Sequence, residues 1–348
     1  MARQILKGGK PMRNMKKWLV LLMTVAMLVN VLGVSAMATE NSAPLALSVS
    51  RAAEGGMVQV DILATEAQTV ADGKLVLTYD PAVLTYVGTV AGTAWTNADQ
   101  IDPSVNSNNP GKVILAFAND DAAGDGVLFR VTFSGAVSDT ELALTGEYVT
   151  DDVPVSGLSV SYCPSESFVD IRNSVPMIHE AVDYMVGMGY MNGMDASHFG
   201  PNLELNRAMM VTILYRIAGS PAASGTHTFA DVPDGVFYTE PVIWAVQNGI
   251  TTGLTANLFA PDKSLTRQEL VTFLYRFAKY MQFDVTKTTD LSAYTDFAKV
   301  QPYAVEAFQW AVASGVVNGT SETTLSPENT TTRAQICIMV SRLLTAQD

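Results

Sequence analysis

The chain has 348 residues, 48% of them apolar, with 21 basic and 34 acidic side chains and a formal charge of −13. Such a length makes roughly two or three domains with sizeable cores, and the acidic balance argues against nucleic acid as the main partner, since a polyanion is normally met by a basic surface. Two cysteines are too few for a disulfide framework or a closed zinc site.

Residues 1–38 carry Arg3, Lys7, Lys10, Arg13, Lys16 and Lys17 and no acid. Lys16-Lys17 precedes a 17-residue apolar run, Trp18 to Val34, and then Ala36-Met37-Ala38. A positive segment, an apolar segment and an A-x-A site predict a secretory signal peptide cleaved after Ala38. The alternative is an N-terminal membrane anchor, because the run is near the lower limit for a span; Asn30, Gly33 and the A-x-A favour cleavage. No second apolar run of spanning length follows. Without the leader, 15 basic face 34 acidic groups, or −19. Of this, −12 falls on residues 39–163 and −7 on residues 164–348.

From Pro44 to Tyr162 the pattern is that of strands. Val58 to Ile62, Lys74 to Tyr79 and Leu128 to Phe133 alternate apolar and polar with period two, as half-buried strands do. Lys112 to Phe117 is a further strand, introduced by the turn Asn109-Pro110-Gly111, and Asp80-Pro81 ends the one before it. Several short strands with turns between them predict a β-sandwich or barrel. The run Asn119-Asp120-Asp121 with Asp125 lacks the spacing of an EF-hand and reads as a solvated loop rather than a calcium site.

From Phe168 onward the pattern becomes helical and repeats. Aligned on Arg207, Arg267 and Arg333, the chain shows a glycine 14 residues earlier each time (Gly193, Gly253, Gly319). A second glycine lies four residues before that (Gly189, Gly249, Gly315), and an aromatic five before it (Tyr184, Trp244, Trp310). Pro201, Pro261 and Pro327 stand six residues before the arginines, and Asp170, Asp231 and Asp296 stand 36 or 37 before them. These are internal repeats. Each reads as an Asp-containing loop, a helix, a Gly/Pro-rich connection and a second helix. The second helix is capped by Asn206, Thr266 or Thr332, with Glu269 or Gln335 completing a capping box in the last two. Its apolar stripe is Met210, Val211, Leu214 and Ile217; then Leu270, Val271, Leu274 and Phe277; then Ile336, Cys337, Val340 and Leu343. The first copy departs from the pattern: Asn206-Arg207-Ala208-Met209 keeps the cap but has no acid at its third helical position, and tyrosine replaces tryptophan. Linkers fall at Gly219–Thr228 and Gln282–Ala293.

Phe-x-Asp, a Trp-Ala helix, Gly-(Ile/Val)-x-x-Gly, (Phe/Leu)-x-Pro and Thr-Arg-x-(Glu/Gln), held in register in three copies over about 180 residues, strongly resemble S-layer homology (SLH) repeats. The resemblance implies an all-α, three-fold pseudo-symmetric unit with repeats at 164–219, 227–282 and 292–348. It also implies non-covalent attachment to a bacterial cell wall through a secondary cell-wall polysaccharide carrying pyruvate ketals, bound in grooves between repeats. Arg207, Arg267 and Arg333 would contact the acidic sugar, and Gly193, Gly253 and Gly319 would line the site or permit tight turns. Tyr184, Trp244 and Trp310 would stack on sugar faces or anchor the first helix in the core. A cation in the first turn of a helix is opposed by the dipole by a few tenths to ~1 kcal/mol, whereas helix-start amides and a guanidinium together suit a carboxylate. Arg216, Arg276 and Arg342, nine residues on, sit where the dipole favours a cation and read as structural. Asp170, Asp231 and Asp296 would fix the loop entering the first helix.

The β region at 44–163 resembles a cohesin module through Gly56-Met-Val-Gln-Val-Asp61, Leu77-Thr-Tyr-Asp-Pro-Ala-Val-Leu84, Gly111-Lys-Val-Ile-Leu-Ala-Phe117 and Gly126-Val-Leu-Phe-Arg-Val-Thr-Phe133. This implies an all-β jelly-roll sandwich that binds a dockerin-bearing partner through one sheet face. No cofactor is implied, apart from calcium on such a dockerin partner.

Catalytic patterns are not legible. His179-Glu180-x-x-Asp183 begins like a zinc-protease helix and lacks the second histidine, so no metal site is assigned. Gly187 to Gly193 lacks dinucleotide-loop spacing. Cys337 occupies a stripe position and reads as core; Cys163 lies between the modules, and whether the two pair is open. The sequence therefore predicts a non-enzymatic, secreted cell-surface anchor with a polysaccharide-binding helical part and a partner-binding sandwich. The alternatives are a wall-bound carbohydrate-binding protein whose sandwich grips polysaccharide, and a structural surface-layer subunit.

Overall fold

The computed structural model describes residues 35–37, 45–51, 57–64, 71–96, 103–119, 123–135, 138–148 and 153–346. The predicted leader lies outside the described residues except for Ser35–Met37, as do Asp120 and Asp121 of the acidic run. Ten strands come first: β1 (Ser35–Met37), β2 (Leu45–Arg51), β3 (Met57–Ala64), β4 (Asp72–Thr78), β5 (Thr85–Ala91), β6 (Ser104–Asn106), β7 (Lys112–Ala118), β8 (Gly126–Ser134), β9 (Thr140–Tyr148) and β10 (Val153–Tyr162). They form two five-stranded sheets, ordered β1-β2-β3-β8-β5 and β10-β9-β4-β7-β6. All described pairings are antiparallel, with Val60 opposite Val131 and Leu77 between Val113 and Leu144.

The period-two pattern explains the layering. Val58, Val60 and Ile62 of β3, Leu75 and Leu77 of β4 and Val113 and Leu115 of β7 are fully buried between the sheets. Trp95 closes one end of this core, packing on Phe117 and Phe129 and donating its indole N–H to the Leu128 carbonyl at 2.9 Å. On the outward side, Arg130 grips Asp61 through two 2.6 Å hydrogen bonds, a bidentate cross-strand pair. Strand β1, at the edge of its sheet against β2, lies within the predicted leader.

Six α-helices follow among the described residues: α1 (Pro176–Gly187), α2 (Arg207–Ile217), α3 (Thr239–Gln247), α4 (Arg267–Tyr280), α5 (Val305–Ala313) and α6 (Arg333–Thr345). Each repeat contributes one pair. The stripe residues of α2, α4 and α6 are buried, apart from half-buried Ile217. A single hydrophobic core runs through all three repeats and a second fills the sandwich. Both cysteines are unpaired: Cys337 lies in the repeat core beside Met191, and Cys163 follows β10. No helix among the described residues is long and apolar enough to cross a membrane.

Candidate functional site: grooves between the repeats

The second helix of each repeat starts against its neighbour. Asn206, Thr266 and Thr332 accept the amide of the third helical residue at 2.9, 3.4 and 3.4 Å. Glu269 and Gln335 return the capping box, accepting the amides of Thr266 and Thr332 at 3.0 and 3.2 Å. The first two amides of each helix are also satisfied, by another repeat. Arg207 and Ala208 donate to the carbonyls of Lys263 and Pro261; Arg267 and Gln268 donate to those of Asn329 and Pro327; Arg333 and Ala334 donate to those of Leu203 and Pro201. Repeat 1 thus bonds to repeat 2, 2 to 3, and 3 back to 1. This corrects the expectation of a carboxylate site built on open helix-start amides, because those amides are already engaged.

The arginine side chains follow the same route. Arg207 Nε donates to the Phe259 carbonyl at 2.7 Å, Arg267 Nε to that of Leu325 at 2.9 Å, and Arg333 Nε to that of Phe199 at 2.9 Å. The N–H groups of those same acceptor residues are held by the repeated aspartates. Asp170 accepts from Phe199 and Gly200 at 2.9 and 2.8 Å, Asp231 from Phe259 and Ala260 at 2.9 and 2.7 Å, and Asp296 from Leu325 and Ser326 at 2.8 and 2.7 Å. The aspartates therefore tie the loop before the first helix to the turn before the second. Ala260 and Ser326 have φ of 58° and 52°, strained values for residues with a Cβ, and the carboxylate holds them there. Burial lowers the pKa of all three arginines, while Glu269 and then Asp231 pull the other way on Arg207, Asp296 on Arg267, and Cys337 and then Asp170 on Arg333.

Two of the junctions open into grooves. One, of about 250 Å³, is lined by Asn192, Gly193, Met209, Arg216, Phe237 and Arg333. The other, of about 320 Å³, is lined by Gly253, Glu269, Thr272, Arg276, Tyr303 and Arg207. Each combines an arginine from one repeat, a glycine loop and second helix from the next, and an exposed aromatic from the one after. In the first groove Arg333 Nη2 is bonded to the Asn192 carbonyl at 2.7 Å. In the second, Arg207 is 4% exposed and its Nη2 has no hydrogen-bond partner. At the third junction Arg267 is bonded to the carbonyls of Leu325 and Asn318, and Arg342 Nη2 lies 3.3 Å from Met177 Sδ.

Several residues fall elsewhere than expected. Trp244 and Trp310 are each 2% exposed, packed on Tyr215 and Tyr275. No ring face remains for a sugar, so stacking is corrected to core anchoring. Half-buried Tyr184 borders a separate cavity of about 430 Å³ with Met177 and Arg342. The exposed aromatics at the grooves are Phe237 and Tyr303, 65% and 52% exposed, and the sequence reading did not single them out. It also treated Arg216 and Arg276 as structural. Nine residues on a helix is half a turn short of three, so Arg216 points away from Arg207 and into a different groove. The two glycine sets differ in cause, although Gly253 of the second also adopts a left-handed φ, 83°. Gly189, Gly249 and Gly315 adopt left-handed φ of 73°, 68° and 76° at helix ends. At Gly193, Gly253 and Gly319 a Cβ would meet backbone oxygens at 2.5, 2.7 and 2.3 Å, with the Phe168, Phe229 or Tyr294 ring also closer than ordinary contact.

Comparisons with known proteins agree with this division. The cohesin domain model matches residues 45–157, and the S-layer homology domain model matches residues 167–209, 228–271 and 293–337. The chain carries one cohesin domain and three SLH domains. Both are non-catalytic binding modules, and SLH domains mark a cell-surface, wall-associated protein. The chain is 33% identical over 168 residues to a surface-layer 125 kDa protein of Lysinibacillus sphaericus, covering 47% of this chain and 14% of that one. It is 23% identical over 175 residues to a cellulosome-anchoring protein of Acetivibrio thermocellus, covering 48% and 38%. An endoglucanase of a Bacillus strain matches at 25% over 197 residues, 55% of this chain and 20% of the enzyme. The chain thus spans well under half the length of these curated relatives. A non-cellulosomal cohesin from Archaeoglobus fulgidus is a structural neighbour, 21% identical with a TM-score of 0.26, covering 31% of this chain and 80% of that one.

Two predictions test this geometry. Asp231→Ala strands two amides at the SLH 1–2 junction and should destabilise the repeats by about 1.5–3 kcal/mol in urea denaturation; an unchanged midpoint would remove the clamp from the account. Burial raises the Glu269 carboxyl, but Lys263 at 2.7 Å and the Thr266 amide outweigh it, and the net shift is downward from 4.5. Its stabilisation is therefore complete above the ordinary pKa and is lost as pH falls through the lowered value. Glu269→Gln, which keeps the cap, should be less stable than wild type at pH 7 and converge with it in acid; a constant gap would contradict the charge effect.

Proposed function

We propose that this is a secreted cell-surface anchor that acts by binding alone. Its three SLH repeats, in a pseudo-three-fold ring, hold a secondary cell-wall polysaccharide non-covalently through acidic, pyruvate-ketal-type substituents. Its cohesin module takes a dockerin-bearing protein partner. The observation that carries the wall-binding part is Arg207 Nη2, a buried cationic donor with no partner at the edge of a groove. Buried polar groups in native proteins are normally satisfied, and a carboxylate in the groove supplies what this one lacks. Arg276 adds a second cation to the same groove and Tyr303 an exposed ring for the apolar face of a sugar. In the neighbouring groove Arg333, Arg216 and Phe237 hold the corresponding positions, with Met209 where the other has Glu269. The cyclic hydrogen bonding from repeat to repeat supports the ring reading.

Arg207, Arg267 and Arg333 also staple the repeats together, so the binding test uses residues that do not. The double variant Arg276→Ala, Tyr303→Ala should co-sediment with purified wall sacculi at least about tenfold more weakly than wild type, from the loss of a charged hydrogen bond and a ring contact, with its thermal unfolding unchanged. Equal retention would remove this groove from the mechanism. Wild-type retention should tolerate moderate salt, since the contacts are short-range.

The partner half is tested by immobilising residues 39–348 and passing a culture supernatant over them. Recovery of dockerin-bearing proteins is the expected result. Retention of the chain on cellulose or chitin with no such recovery would instead support a sandwich that grips polysaccharide.

A further inference from the structure

Away from the grooves, where the sandwich meets the first repeat, four side chains from three segments converge. Asp139 lies just before β9 and Cys163 just after β10. His179 and Asp183 lie one turn apart on α1, on the same face of the helix. One donor atom from each falls within 4.8 Å of the others. His179 Nε2 is 3.4 Å from Cys163 Sγ and 3.1 Å from Asp183 Oδ2, and Cys163 Sγ is 3.7 Å from Asp183 Oδ1. From the geometry we propose that Asp139, Cys163, His179 and Asp183 form a zinc site that pins the cohesin module to the SLH repeats.

Distances and chemistry both favour this metal. Tetrahedral zinc with Zn–S near 2.3 Å and Zn–N and Zn–O near 2.0–2.2 Å sets its donors about 3.3–3.7 Å apart, close to the 3.1–3.7 Å among Cys163, His179 and Asp183, with Asp139 within 4.8 Å of them. One imidazole, one thiolate and two carboxylates suit a borderline-soft cation, whereas calcium and magnesium select oxygen alone. The site also resolves an electrostatic problem. Asp183 is 2% exposed, faces a second carboxylate in Asp139, and has half-buried His179 beside it at 3.1 Å. Buried carboxylates in such surroundings are costly without a compensating cation. The Ser165 amide, donating to Asp183 Oδ1 at 3.0 Å, orients the carboxylate from behind.

A catalytic Cys–His–Asp reading fits less well. The same imidazole nitrogen faces both the thiol and the carboxylate, whereas a triad uses the two nitrogens separately.

The test uses residues 39–348, stripped with a chelator and titrated with zinc in competition with a chromophoric indicator. One zinc per chain is expected, with affinity falling at least about tenfold in each of Cys163→Ser, His179→Ala and Asp139→Asn. Asp139 is exposed, so its variant keeps the fold and the test remains decisive if the buried positions unfold. Cobalt in place of zinc should show a thiolate-to-metal charge-transfer band, absent in Cys163→Ser. No stoichiometric binding, or binding equal in wild type and Asp139→Asn, would overturn the site.

Discussion

The helical half depends on how one peptide unit per repeat is held. At the Phe199–Gly200, Phe259–Ala260 and Leu325–Ser326 peptides the N–H is taken by an aspartate of the same repeat and the carbonyl by an arginine of another. A carboxylate and a guanidinium thus face each other across a single peptide, each strengthening the other's hydrogen bond. Because Arg207 reaches repeat 2, Arg267 reaches repeat 3 and Arg333 reaches repeat 1, the three units close on one another. The helix-start amides follow the same circuit. The guanidiniums add packing where the hub is aromatic: Arg207 lies 4.9 Å from the Phe259 ring centre and Arg333 4.4 Å from that of Phe199. Leu325 offers Arg267 no such ring.

That circuit also makes the grooves. An arginine committed through Nε to a neighbour's backbone is fixed in direction, and its remaining nitrogens are presented beside the neighbour's glycine loop. The glycines at 193 and 253 are required there because a side chain would strike the backbone beyond. Wall recognition in this account is local. Without its predicted leader the chain carries −19 and gains no long-range attraction to the proposed anionic polymer, so in this proposal affinity comes from a few desolvated arginines and an exposed ring. Most of the excess negative charge lies on the cohesin module, which does not line the proposed grooves.

Much of this was legible in the sequence, for a physical reason. Strand alternation located β3, β4, β7 and β8, and the three-fold register exposed every member of the Asp–peptide–Arg circuit. What the register does not carry is which repeat each side chain serves. Arg333 and Phe199 are 134 residues apart, and no local period encodes that closure. The same blindness placed Arg216 and Arg276 outside the site, although they face it from the far side of their helices. Tryptophan suggested sugar stacking by its chemistry, but Trp244 and Trp310 sit on helix faces turned to the core, and Phe237 and Tyr303 hold the exposed positions. The cluster of Cys163 with His179 and Asp183 was invisible because its members lie in a linker and an incomplete helical motif.

The most direct test of the account is hydrogen exchange of the Phe199, Phe259 and Leu325 amides in wild type and in Arg333→Gln. Removing one arginine from a closed circuit should weaken protection at all three amides together. Loss confined to Phe199, with Phe259 and Leu325 as protected as in wild type, would show three separate repeats and contradict the ring.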